Sequence, residues 1–185
     1  MHEHTESVAS EQLTVTVEVA SPVVHDVDLV AVGVIAPAAN EPLEGAVEKL
    51  DRLLGGAIER MRMGGGSGVR VGETLRIDGA PGVKAPRVLL IGLGSARSLS
   101  TDALTVAGRI AVQHALDVGV RTLGFAPGLR DAGVTSLPVG DIAHAVALGA
   151  REYFAARSPA TRRRLVFSIE ASAANRDLAF EGIRR

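Results

Sequence analysis

The sequence predicts an α/β protein, a three-layer α/β/α sandwich around a mixed, largely parallel sheet. Three observations carry that expectation. Segments 27–35 (VDLVAVGVI) and 87–91 (RVLLI) are almost continuously apolar, as strands covered on both faces must be. Strand-like runs then alternate with helical stripes, which puts helices in the crossovers of a parallel sheet. Finally, the 46% apolar share is rich in Ala, Val and Leu, with four Phe, one Tyr and no Trp, a composition suited to a parallel-type sheet under helices.

Residues 1–12 are expected to be a short mobile tail and 13–185 one domain, because 185 residues fall within the usual ~100–200 of a single domain. Leu13, Val15, Val17 and Val19 alternate with Thr14, Thr16 and Glu18, which predicts a half-buried strand near a sheet edge. After a turn at Ser21-Pro22 comes the apolar strand Val27–Ile35. Leu43, Val47, Leu50, Leu54, Ile58 and Met61 recur at helical spacing over 41–63, with Asn40 as a cap. Gly55-Gly56 interrupts that stripe. Each glycine weakens a helix interior by roughly 1 kcal/mol relative to alanine, so a kink or break is expected there.

The run GGGSG at 64–68 ends the helix; without the Lys-Ser/Thr of a Walker loop it reads as a flexible connector. Val69–Asp78 reads as a strand with a bulge at Gly72, followed by a turn at 79–82. The remaining elements are a strand at Arg87–Ile91, a helix at Asp102–Val118, a strand at Arg121–Phe125, a helix at Pro138–Ala156, a strand at Arg164–Ile169 and a helix at Ala171–Arg184. The predicted order is ββαββαβαβα.

The formal net charge of −1 supplies no overall field toward nucleic acid or an anionic membrane. The chain has no cysteine, so disulfides, zinc knuckles and thiol catalysis are excluded. No apolar run approaches the ~18–20 residues of a membrane span, and MHEHTESVASEQ lacks the apolar core of a signal peptide. A cytoplasmic location, no membrane contact and no cofactor are therefore expected.

VDLVAVGV, LDRLLGGAIERM, GETLRI and KAPRVLLIGLG followed by a capped helix resemble the amino-terminal domain of the leucyl, or cytosol, aminopeptidases. The resemblance runs from about Val27 to Gly94 at motif level. It implies a macro-like fold, with the metal ions and peptidase chemistry in a larger carboxyl-terminal domain of the family. No segment here resembles the family's Asn-Thr-Asp-Ala-Glu-Gly-Arg run or its catalytic lysine context, so no catalytic or metal-ligand residue carries over. The chain as it stands is therefore expected not to hydrolyse peptides. The fold implies a second likeness, to domains that bind ADP-ribose. Leu54-Gly55-Gly56-Ala57-Ile58 resembles their diphosphate loop and Val27-Asp28 the start of their first motif, although LVAVGV follows where an asparagine pair would contact ribose.

Gly92, Gly94 and Ser95 stand at a strand end before a helix, where backbone amides either face a phosphate or simply turn the chain. A full dinucleotide fingerprint would need glycine at Arg97. With Gly55 and Gly56 they are the candidate ligand-binding residues. His114 and His144 lack a helical partner for a metal and read as packed or surface histidines; His2 and His4 in the tail could hold a stray metal weakly. His25-Asp26 reads as a turn pair without a visible nucleophile, and no Gly-x-Ser-x-Gly elbow is present. Arg151, Arg157, Arg162, Arg163 and Arg164 form a basic cluster that reads as a solvated helix end, with a nucleic-acid role disfavoured by the missing Trp and the charge balance. Ala143, Ala145, Ala147, Gly149 and Ala150 permit close approach of another element, either the chain's own sheet or a second subunit.

Together these readings lead to a non-catalytic domain with an assembly or regulatory role, associating with itself or with a separately encoded peptidase. Two alternatives stand beside it: a macro-type module for ADP-ribose or another nucleotide, and the front part of a full aminopeptidase.

Overall fold

The computed structural model describes residues 7–9, 12–37, 41–64, 68–158 and 163–185. Among them one seven-stranded sheet runs in the order β1-β2-β7-β6-β3-β5-β4. The strands are β1 (Ser7–Ala9), β2 (Leu13–Val19), β3 (Leu29–Ala36), β4 (Thr74–Asp78), β5 (Arg87–Ser95), β6 (Thr122–Ala126) and β7 (Leu165–Ala171). The helices are α1 (Gly45–Leu53), α2 (Ala57–Met63), α3 (Thr101–Val118), α4 (Val139–Ala156) and α5 (Arg176–Arg184). The five central strands are parallel, and β1 and β4 close the edges antiparallel.

The continuous apolar runs are explained by a core on each face. Ala31 and Ile35 of β3, with Leu89, Ile91 and Leu93 of β5, point toward α3, α4 and α5. Val30, Val32 and Val34, with Val88 and Leu90, point toward α1 and α2. Phe125 and Phe167 meet edge to face on the first side, 6.3 Å between ring centres.

The expected break at Gly55-Gly56 divides α1 from α2: both glycines have positive φ, 63° and 78°. The small residues of α4 are used inside the chain. A Cβ on Gly149 would collide with the Thr105 carbonyl of α3, and one on Gly108 of α3 with the Val146 carbonyl of α4, so the two helices cross at backbone contact.

Several boundaries differ from expectation, among them the start of α1, at Gly45 rather than 41. The expected tail contains β1, which pairs Val8 with Val15. The strand expected over 69–78 begins only at Thr74, because Glu73 N donates to Arg70 O and Gly72, at φ +79°, forms a turn rather than a bulge. β5 runs four residues past Ile91, since its glycines serve close approach: a Cβ on Gly92 would strike the Arg70 carbonyl. β7 continues to Ala171, and a 3-10 turn at 173–175 delays α5 to Arg176. Asn40, His2, His4, Arg162 and residues 65–67 of the glycine run lie outside the described residues.

Candidate functional site

The neighbouring strands β3 and β6 send their chains to opposite faces, β3 into α1 and β6 into α4. In an open α/β sheet such a parting opens a crevice at the carboxyl ends of the strands, the usual seat of ligands. Here a cavity of about 260 Å³ occupies that place, extending across the ends of β6, β7 and β2.

The loop after β6 forms one wall. It can lie against β3 because residue 33 is glycine: a Cβ there would collide with the Pro127 carbonyl. From this anchor the loop presents Asp131 to α1. Val47 N donates to Asp131 Oδ2 at 3.0 Å, and Glu44 N to Asp131 O at 2.9 Å. A carboxylate thus occupies the positive end of α1, as anions favour. The same device recurs on α2, where Asp51 Oδ1 accepts from Ile58 N at 2.7 Å and Glu59 N at 3.2 Å.

The other wall contains Glu170. Its Oε1 lies 2.7 Å from His25 Nδ1, and His25 Nε2 lies 3.1 Å from Ser168 Oγ, which also donates to Leu123 O at 3.3 Å. All three side chains are buried. The imidazole fits over the sheet because β6 has glycine beneath it: a Cβ on Gly124 would stand 2.6 Å from His25 Nδ1. Burial pushes the Glu170 carboxyl above the usual range, against the His25 hydrogen bond that lowers it. Glu170 and Ser168 thus flank the two ring nitrogens of His25, and the Ser168 hydroxyl is also tied to the Leu123 carbonyl. The order Ser-His-Glu is that of a hydrolase triad, but Ser168 is 3% exposed, in mid-strand. His25, read from sequence as a turn pair without a nucleophile, thus does meet a hydroxyl, in a structural relay.

The glycines singled out from sequence are not brought together. α1 starts beside Asp131 at the carboxyl ends of the strands and ends with Leu53, against which a Cβ on Gly82 would press, five residues before β5 begins. Gly55 and Gly56 therefore lie at the amino ends, away from Gly92, Gly94 and Ser95. Gly92 N donates to Glu73 O at 2.7 Å and Gly92 O accepts from Gly72 N at 2.9 Å, so both backbone groups of Gly92 are spent on the segment leading into β4. Ser95 Oγ accepts from Arg97 N at 3.3 Å, and none of the five lines the cavity. Asp28, in the motif-like pair Val27-Asp28, accepts Arg121 N and Thr122 N at 3.0 Å each, and these bonds, the one from Arg121 foremost, hold its carboxyl below the usual value.

His114 Nε2 and His144 Nδ1 are buried without hydrogen-bond partners, and burial lowers the His114 pKa. In the basic cluster Arg151 donates to Ile183 O and Arg157 to Tyr153 Oη. Arg163 and Arg164 line a hollow of about 760 Å³ with Arg121. Among the described residues no group of three His, Cys, Asp or Glu could hold a metal ion, and no helix is long and apolar enough to cross a membrane.

Residues 31–154 match the model of the cytosol aminopeptidase family, N-terminal domain. The chain belongs to that family. It is 41% identical over 69 residues to a probable cytosol aminopeptidase of Glaesserella parasuis serovar 5, a match covering 37% of this chain and 13% of that protein. A tomato leucine aminopeptidase mutant superposes with TM-score 0.66 at 18% identity, covering 98% of this chain and 37% of the other. The Oceanobacillus iheyensis macrodomain with ADP superposes with TM-score 0.71 at 13% identity, over 100% of this chain and 97% of that one. The family N-terminal domain is thus present in a macro-like fold, and the chain spans about a third of the length of the tomato enzyme.

Proposed function

We propose that this family N-terminal domain is a non-catalytic element that serves the assembly or regulation of a cytosol aminopeptidase, whether as the front part of a longer chain or beside a separately encoded one. One observation supports it over nucleotide binding. The amino ends of α1, at the crevice, and α2, at the glycine pair, already hold the chain's own carboxylates, Asp131 and Asp51. A diphosphate would have to displace them and meet Glu44 and Glu48 at the start of α1. The cavity of about 260 Å³ also falls below the ~300–1,000 Å³ of pockets that enclose drug-sized ligands.

The test is light scattering on the purified chain, alone and mixed with a cytosol aminopeptidase of the same cell, alongside the peptidase rate. A defined complex, or self-association accompanied by a change in rate, is expected. A strict monomer that leaves both the peptidase's mass and its rate unchanged contradicts the reading.

A further inference from the structure

A second concave place lies at the amino ends of β6 and β7, at the end of the sheet opposite the crevice. There the chain leaving α3 brings Val120 and Arg121 against Arg163, Arg164 and Val166 at the entry of β7. Val166 N donates to Arg121 O at 2.9 Å and ties the two strand entries together. Three arginines from two parts of the chain thus line one hollow of about 760 Å³, within the ~300–1,000 Å³ of small-molecule sites.

The charge in this hollow is one-sided. Among the described residues no acidic side chain lines it, and the nearby Asp28 carboxylate is held by the amides of Arg121 and Thr122. All three arginines are exposed, and among the described residues none of their guanidinium groups has a hydrogen bond or an ion pair. Arg163 has a structural use: a Cβ on Gly119, which ends α3, would stand 3.2 Å from its Nη1, so this cation lies at the negative end of the helix. That does not account for Arg121 and Arg164, which add like charge with no carboxylate to offset it. Between the arginines the lining is apolar, with Val120 6% exposed and Val166 half-buried.

Guanidinium forks pair best with oxyanions that offer two or more free oxygens. A phosphate monoester offers three, with a charge of about −1.5 to −2 at neutral pH. A diester offers two free oxygens and a single charge. Nucleic acid presents such diesters along a line and calls for a basic stripe, whereas these arginines form one compact cluster on a chain of net charge −1.

We propose that the hollow at the amino ends of β6 and β7 binds a small phosphate monoester, its phosphate held by Arg121, Arg163 and Arg164 and its organic body resting on Val120 and Val166. Diesters are rejected, ADP-ribose included. The site is separate from the crevice and does not depend on the assembly reading.

The test is titration of the full chain with phenyl phosphate, inorganic phosphate and dimethyl phosphate, followed by amide NMR shifts. Phenyl phosphate is expected to shift the amides of Gly119, Val120, Thr122 and Val166 and to leave those of Val47 and Ile142 at the crevice unmoved. Inorganic phosphate, with nothing to rest on the valines, is expected to bind severalfold more weakly, and dimethyl phosphate at least tenfold more weakly. Arg121→Ala and Arg164→Ala, both at exposed positions, should each weaken phenyl phosphate tenfold or more, and Arg164→Lys, which keeps the charge and loses the fork, should recover only part of that loss. Arg52→Ala on α1 should change nothing. No shift at the hollow with millimolar phenyl phosphate, undiminished binding in Arg121→Ala and Arg164→Ala, or equal affinity for inorganic or dimethyl phosphate overturns the proposal. Binding of a short DNA duplex that phenyl phosphate does not displace also overturns it, by assigning the arginines to a nucleic-acid backbone.

Discussion

Gly124 is the residue on which the buried relay depends. The His25 ring occupies the space a side chain would fill, so Gly124→Ala must push the ring off Glu170 or strain β6. An overpacking cost of about 1–3 kcal/mol is expected, read as a lower urea midpoint; an unchanged midpoint would mean the ring is not seated there. Asp28 gives the molecule an acid limb. Its folded pKa is lowered, so its stabilising share is present above the ordinary value of 3.8 and lost as pH falls through the folded value. Asp28→Asn should flatten stability against pH in that window, measured by urea titration at a series of acid pH values. Glu170 has the opposite sign: raised by burial, its share is full below the ordinary 4.5 and declines as pH rises through the folded value. At this scale the sequence was half legible. The alternation of Leu165, Phe167 and Ile169 with Ser168 and Glu170 marks a polar pair on an inner strand. Nothing local announces His25, because it stands 143 and 145 residues away from its partners.

Among the elements, periodicity located the helices because their faces are buried on one side, and paired glycines marked the break between α1 and α2. The strand boundaries were harder to read, since glycine signals a turn in the general case and here marks backbone approach within β5. Competing magnitudes can be tested on α4. Helix propensity alone would make Gly149→Ala stabilising by roughly 1 kcal/mol. The collision with the Thr105 carbonyl should outweigh that and leave a net loss, seen as a lower thermal midpoint. At the start of α1, Asp131→Ala removes the bond to Val47 N, and a loss of about 1 kcal/mol is expected by chemical denaturation.

For the whole molecule, the sandwich, its mixed sheet and the family membership were readable because each rests on long apolar runs and local motifs. The crevice was not. It is built from the ends of β2, β6 and β7 and the starts of α1 and α4, which come together only when the sheet order is known. In this macro-like fold the chain's own carboxylates, Asp131 and Asp51, occupy the amino ends of α1 and α2, and Glu170 and Asp131 line the crevice cavity. Calorimetric titration with ADP-ribose tests that most directly. The full chain is expected to give no heat of binding at millimolar ADP-ribose; saturable binding in the micromolar range would mean that a diphosphate displaces Asp131 or Asp51.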